Sequence, residues 1–479
     1  MPKTIFGTTE KSNFILNMRS DSVDRLNRIG IIVAVLLPLL SGLIISIIDN
    51  HFVILSLGTY ISGFLAILFF LINALRGDVK IKKNPAFWAI VSLSVLAFIS
   101  YYSVFLNPYE GLEYSVHGKL TPLLGEYGRY EGLLVLLCYF GIFLLAMCVR
   151  ENTAPKKVSM VILFAGAVVS IFAVLQHIPG LGFPNAYKNL PTFAYDNVYL
   201  SFGASDSPIF YGAFVTLIFA ICSALAVFGT RYRFVFAVAA LLSFTTGLFT
   251  SSVTPLIGCS VAALVLLILA LVIKPVRGRA FAIGIVAAAA VIFLIVLFTQ
   301  GIWIRDIYIA RFDGFYRKYI VGSTVFDDKN LYENAWGAAL DMIKNYPLFG
   351  VGPDSFAAYQ NFSVKTYDSA YNEYLFTAAT RGILSALIYI SLIVMSVIRL
   401  IKNIKNPYAP VLLTAILSYS IQAFFNTSAI TVAPLFWLLL GFSFSPIVSY
   451  NDKKTADKPS KSETVKTNNP SRKKRKRKM

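Results

Sequence analysis

The sequence predicts an all-α, polytopic membrane protein of about twelve transmembrane helices, and three observations carry that expectation. Its 479 residues are 57% hydrophobic and 14% charged with a mean hydropathy of +0.67, a composition that a soluble domain of this length does not have. Apolar runs of about 18 to 22 residues recur along the chain, each long enough for roughly 30 Å of hydrocarbon. Lys and Arg then concentrate at every second connection between the runs.

In order, the runs begin near Gly30, Phe52, Ala86, Tyr130, Val158, Pro208, Phe234, Pro255, Ala280, Ile383, Tyr408 and Thr431. The cationic connections carry Arg25 and Arg28, Arg76 to Lys83, Arg150 to Lys157, Arg231 and Arg233, Lys274 to Arg279, and Arg399 to Lys405. Positive residues stay in the cytoplasm, so both termini are expected there, in a multi-pass membrane protein. Residues 1–29 read as a cytoplasmic N-terminal segment with no small-residue cleavage site, which makes the first run its own insertion signal. Residues 30–450 read as the transmembrane domain.

Residues 451–479 read as a disordered tail, with twelve Lys or Arg against three Asp or Glu. A polybasic tail of this kind suits anionic lipid head groups; without a folded reader beside it, no nucleic acid is expected as a partner. Cys138, Cys148, Cys222 and Cys259 all fall inside apolar runs and imply no disulfide framework.

The opposite, outer side carries three long connections, 107–128, 177–207 and 300–370. The last, between the ninth and tenth spans, is too long for a hairpin and reads as a functional helical loop. Asn330 and Glu333 form a capping box for an amphipathic helix with Leu331, Ala335, Ala338, Met342 and Ile343 on one face. A second short helix is expected to start at Pro353. Asp327 and Asp328 beside Lys329 read as a turn, and with no His or Asp cluster nearby a metal-independent site is expected, with no cofactor.

The stretch from Pro347 to Ser385 then hands a polar segment over to an apolar one, with Tyr371, Asn372, Glu373 and Arg381 at the crossing. Arg129 and Arg381 adjoin span starts, where a charge needs a partner or a polar cavity. The plainer reading of Arg129 is an interfacial pair with Glu131. That of Arg311 and Arg317 is a solvated loop face.

These residues resemble the signature region of the O-antigen ligase and polymerase superfamily. The family's turn is matched by Pro347, Leu348, Gly350 and Gly352; Asn372 follows, and nine residues later comes Gly382, with Tyr371 standing where the family carries His. Arg129, in Gly128-Arg-Tyr-Glu-Gly132, resembles a recurrent element of Gram-positive members, and the likeness extends over about 129–385. Two arginines the family often shows have no counterpart in Ser251–Pro255 or Leu331–Trp336.

The resemblance implies an integral-membrane glycosyltransferase that takes a polyprenyl-pyrophosphate-linked glycan and joins it to a glycan or lipid acceptor in cell-surface polysaccharide assembly. The departing pyrophosphate must be met by cations, for which the arginine fork is suited, and the attacking hydroxyl must lose a proton. The implied binding residues are Arg129, Arg311, Arg317, Arg381 and Asn372; Tyr371 would orient substrate through its hydroxyl, and Glu373 or His117 would take the proton. The rival readings are a lipid-linked oligosaccharide flippase and an inactive scaffold. A carrier should place ionisable groups at mid-membrane, and these spans are almost free of them.

Overall fold

A computed structural model describes residues 6–45, 51–75, 84–106, 118–126, 129–150, 153–178, 200–205, 207–229, 231–250, 252–273, 278–299, 331–359 and 368–449. Among them there is no strand. The helices are α1 (Phe6–Ile45), α2 (His51–Leu75), α3 (Pro85–Leu106), α4 (Thr121–Leu124), α5 (Leu133–Met147), α6 (Thr153–His177), α7 (Pro208–Phe228) and α8 (Arg233–Leu248). They continue with α9 (Val253–Val272), α10 (Arg279–Thr299), α11 (Leu331–Asn345), α12 (Phe356–Tyr359), α13 (Glu373–Arg381), α14 (Ile383–Lys402), α15 (Ala409–Gln422) and α16 (Ala433–Ser443).

Eight of these helices (α1, α2, α3, α6, α7, α9, α10 and α14) are long and apolar enough to cross a membrane, and α5, α8, α15 and α16 are shorter apolar helices. Each expected apolar run is thus helical, which makes this a multi-pass membrane protein. The first run departs most from expectation: α1 begins at Phe6, well before Gly30, because no proline interrupts the helix before Pro38, and its apolar window starts at Val23.

The helix ends follow from local chemistry. Ser207 caps α7 by accepting from the Ile209 amide at 3.3 Å, with Pro208 at the first helical position, and Ser252 caps α9 through the Thr254 amide at 3.3 Å.

A helix that is apolar all round belongs in the middle of a bundle. α7 is buried over nearly its whole length, as are α5, α15 and α16; α8, α9 and α15 pack against α7, and α16 packs against α5. Small residues let these helices close up: a Cβ on Gly258 of α9 would overlap Thr216 of α7. At the opposite extreme α10 leaves Ile283, Leu294 and Phe298 exposed, as a helix at the lipid boundary does. The four cysteines are free and buried.

Three helices, α11 to α13, lie in the chain between α10 and α14. They share a small core of Ala339, Met342, Phe356, Phe376 and Ala379. Of the face expected on α11, Ala335 and Met342 are buried and Ala338 and Ile343 partly so.

Candidate functional site

Two glycine-punctuated loops build the site, one leading from α4 to α5 and the other from α11 to α12. In the second, the Val351 and Gly352 amides donate to the Ala379 and Thr380 carbonyls at 2.9 Å each, and the Ile383 amide donates to the Pro347 carbonyl at 2.9 Å. The turn is therefore clasped onto the end of α13. Gly350 and Gly382 sit at φ 68° and 88°, and a Cβ on either would run into the facing backbone, that of Thr380–Arg381 and of Leu348 respectively. Only glycine satisfies both the left-handed conformation and the close approach. Ser100 of α3 holds the clasp from the side, donating to the Thr380 carbonyl at 2.9 Å.

Asp354 ties the two loops together. Its Oδ2 accepts from the Glu126 and Glu131 amides at 2.8 and 2.9 Å, and its Oδ1 forms an ion pair with Arg129 Nη2. The Arg129 guanidinium also lies 4.2 Å over the Phe376 ring. The structure thus corrects the expected Arg129–Glu131 pair, because the Glu131 side chain is engaged elsewhere. It also corrects the expected helix start at Pro353: Asp354 has φ 52°, a left-handed conformation that no first helical turn accepts, so α12 begins at Phe356.

Arg129 is only 1% exposed. Burial opposes its charge, but the neighbouring Asp354, with Asp368 and Glu131, more than offsets this and holds the guanidinium as a cation. Its Nε and Nη1 have no hydrogen-bond partner among the described residues. Both donors are buried, in the guanidinium that lies over the Phe376 ring.

Behind the loops lie two buried carboxyl groups. Glu131 Oε1 accepts from the Tyr139 hydroxyl at 2.9 Å and Oε2 from the Ser428 hydroxyl at 2.5 Å. Glu373, the first residue of α13, accepts from Tyr389 at 2.6 Å and from Tyr419 at 3.1 Å. Burial pushes the Glu131 carboxyl up to about 7, with Ser428 pulling it down and Asp354 and Glu373 adding to the rise. Burial likewise pushes Glu373 up, against the opposing pull of its two tyrosine hydroxyls and Arg381. Tyr139, Ser428, Glu373, Tyr389 and Arg381 line one cavity of about 10 Å³.

The remaining expected residues fall as follows. Asn372 is the N-cap of α13, its Oδ1 accepting from the Tyr374 and Leu375 amides at 3.0 Å each. Tyr371 is half-buried at φ 46°, and its amide donates to Ser369 Oγ at 3.3 Å. Arg381 is half-buried and donates from Nη2 to Thr377 Oγ1 at 2.6 Å. His117, Arg311 and Arg317 lie outside the described residues. The structure therefore brings Arg381 and Glu373 onto one cavity, with Arg129 beside it through Asp354 and Glu131.

Of the four non-glycine residues at positive φ among those described, three (Tyr130, Asp354 and Tyr371) belong to these loops or to the turn before α13. Backbone in such sparsely populated conformations concentrates at functional sites.

Residues 238–390 match a family model described as O-Antigen ligase. The match covers about a third of the chain and supports its resemblance to the O-antigen ligase and polymerase superfamily. The matched segment runs from α8 into α14 and contains the clasp, Asp354, Glu373 and Arg381, so the superfamily signature is the part of this chain that assembles the site. Arg129 and Glu131 lie before the segment and reach it through Asp354, which pairs with the Arg129 guanidinium and accepts from the Glu131 amide. A search of curated proteins finds none that matches the chain.

Sequence reasoning missed Asp354, Tyr139, Tyr389, Tyr419 and Ser428. A usable signal existed for three of them: tyrosines inside apolar runs need a hydroxyl partner, and Tyr139, Tyr389 and Tyr419 all find theirs in the two carboxyl groups.

Proposed function

We propose that the protein is an integral-membrane glycosyltransferase of the ligase and polymerase type, acting on a glycan carried by a polyprenyl pyrophosphate at the outer face of the bacterial cytoplasmic membrane. The observation that carries this reading is the gathering of two arginines and two high-pKa carboxyl groups behind the clasped turn of the superfamily signature.

Arg129, through Nε and Nη1, and Arg381 meet the charge that develops on the leaving pyrophosphate. The acceptor oxygen bonds to the anomeric carbon as the bond from that carbon to the phosphate oxygen breaks. The lipid pyrophosphate leaves with the electron pair, and the acceptor's proton passes to the Glu373 carboxylate. A carboxylate of raised pKa is the better base for this. Asn372 acts by starting α13 at Glu373, which fixes where the base stands.

The test uses purified protein in liposomes with a lipid-pyrophosphate glycan, replacing Arg129, Arg381, Glu373 and Tyr371 one at a time by Ala. The expected losses are about 10²-fold or more for either arginine and for Glu373, with a smaller effect at Tyr371. Unaltered rates in both arginine variants would remove the pyrophosphate assignment.

A further inference from the structure

The cavity between α5, α13 and α14 is lined by Glu373 and by the hydroxyl donors of Glu131, and the oxygens of both carboxyl groups all accept from hydroxyls. Two of its lining residues, Tyr139 and Ser428, are the donors to Glu131, and two others are Glu373 and its donor Tyr389. Its volume of about 10 Å³ is at the size that takes a single water. Arg381 lines the same space; burial works against its charge, and Glu131 and Glu373 support it.

We propose that Glu131 and Glu373 hold a single proton between them and act as one acid–base unit. The charges facing the cavity favour it. Arg129 and Asp354 neutralise one another, which leaves the Arg381 cation facing two carboxyl groups. Two carboxylates would leave a net negative charge in a space with little solvent, whereas one proton makes the cluster neutral. The groups facing Glu131 are Tyr139 from α5, Asp354 from the turn before α12, Arg129 from its own loop, Glu373 and Arg381 from α13 and Tyr419 from α15. Those facing Glu373 are Glu131, then Arg381 and Tyr374 on its own helix, Tyr389 from α14 and Tyr419 from α15. Arg381 is the one cation these two sets share, so the carboxyl groups titrate as a pair, in two steps. The rise of Glu131 to about 7 agrees with the loss of the shared proton near neutrality.

The functional consequence rests on the reading above. With the proton in place the site tolerates a pyrophosphate; once it is lost, the second carboxylate repels that anion.

Infrared titration of the purified protein in nanodiscs tests the pair without reference to catalysis. The wild-type protein should lose one protonated-carboxyl band near pH 7, and Glu131→Gln and Glu373→Gln should each abolish that transition. Ser428→Ala, which keeps both carboxyl groups, should move it to higher pH, since the lost donor favours the charged form. A transition that survives in either Gln variant, or that stays put in the Ser428 variant, overturns the proposal. In the same discs, affinity for polyprenyl pyrophosphate should fall about tenfold per pH unit above the transition and should stay flat in Glu131→Gln. A band that titrates as expected with no response in binding would uphold the pair and overturn the pyrophosphate reading.

Discussion

Asp354→Ala removes the acceptor of three donors at once and is the sharpest perturbation the structure offers. The Arg129 guanidinium would remain buried with its ion-pair partner gone, and breaking such a pair on one side costs about 3–5 kcal/mol. The Glu126 and Glu131 amides would lose their acceptor as well, at roughly 1 kcal/mol or more each. Alanine is also less at ease than aspartate in the left-handed conformation of position 354. Asp354→Asn should fall between, since it keeps an oxygen for the amides but not the countercharge. In the double variant Arg129→Ala/Asp354→Ala the unpaired charge disappears, so it should be more stable than Asp354→Ala by about 1–3 kcal/mol. Denaturant unfolding of the detergent-solubilised protein, followed by tryptophan fluorescence, measures these three and Arg129→Ala. An Asp354→Ala loss under about 0.5 kcal/mol, or a strictly additive cycle, would refute the role of Asp354 as the tie between the loops.

Further outcomes follow from the same geometry. Gly382→Ala should open the clasp, because its φ of 88° and the facing Leu348 carbonyl leave no room for a methyl group; hydrogen exchange at the Gly352 and Ile383 amides should then accelerate. Asn372→Ala should destabilise by about 1 kcal/mol, the usual loss of an N-cap, and lower kcat with little change in KM, whereas a residue that held substrate would raise KM. Stability should also fall as pH rises. Glu131 ionises near 4.5 when unfolded and near 7 when folded, so its contribution is complete below 4.5 and is lost between 4.5 and 7. The loss is on the order of 3 kcal/mol, and Glu131→Gln should flatten that part of the profile.

Most of the fold was legible because hydrophobicity alone decides which runs can lie in lipid, and every expected run is a helix. Helix lengths were not: α16 has 11 residues and α5 has 15, because buried central helices are bounded by polar turns that a hydropathy reading runs through. At the site, the glycines at 350 and 382 were readable as a signature, but their reason lies in a backbone contact between segments about thirty residues apart. The partner of Arg129 was not readable. Glu131 is near in sequence, while Asp354 lies 225 positions away, and only the fold brings that carboxylate to the guanidinium. Asn372 was assigned to substrate on resemblance, although its position just before an acidic first turn is also what an N-cap looks like.

The central claim is that a glycan leaves a lipid pyrophosphate at this site, and product analysis in proteoliposomes tests it most directly. With a lipid-pyrophosphate glycan supplied on the outer side, the account predicts release of the polyprenyl pyrophosphate together with a new glycosidic linkage, as longer chains or as a different conjugate. Recovery of the donor intact, whether left in place or moved to the other leaflet, would contradict it.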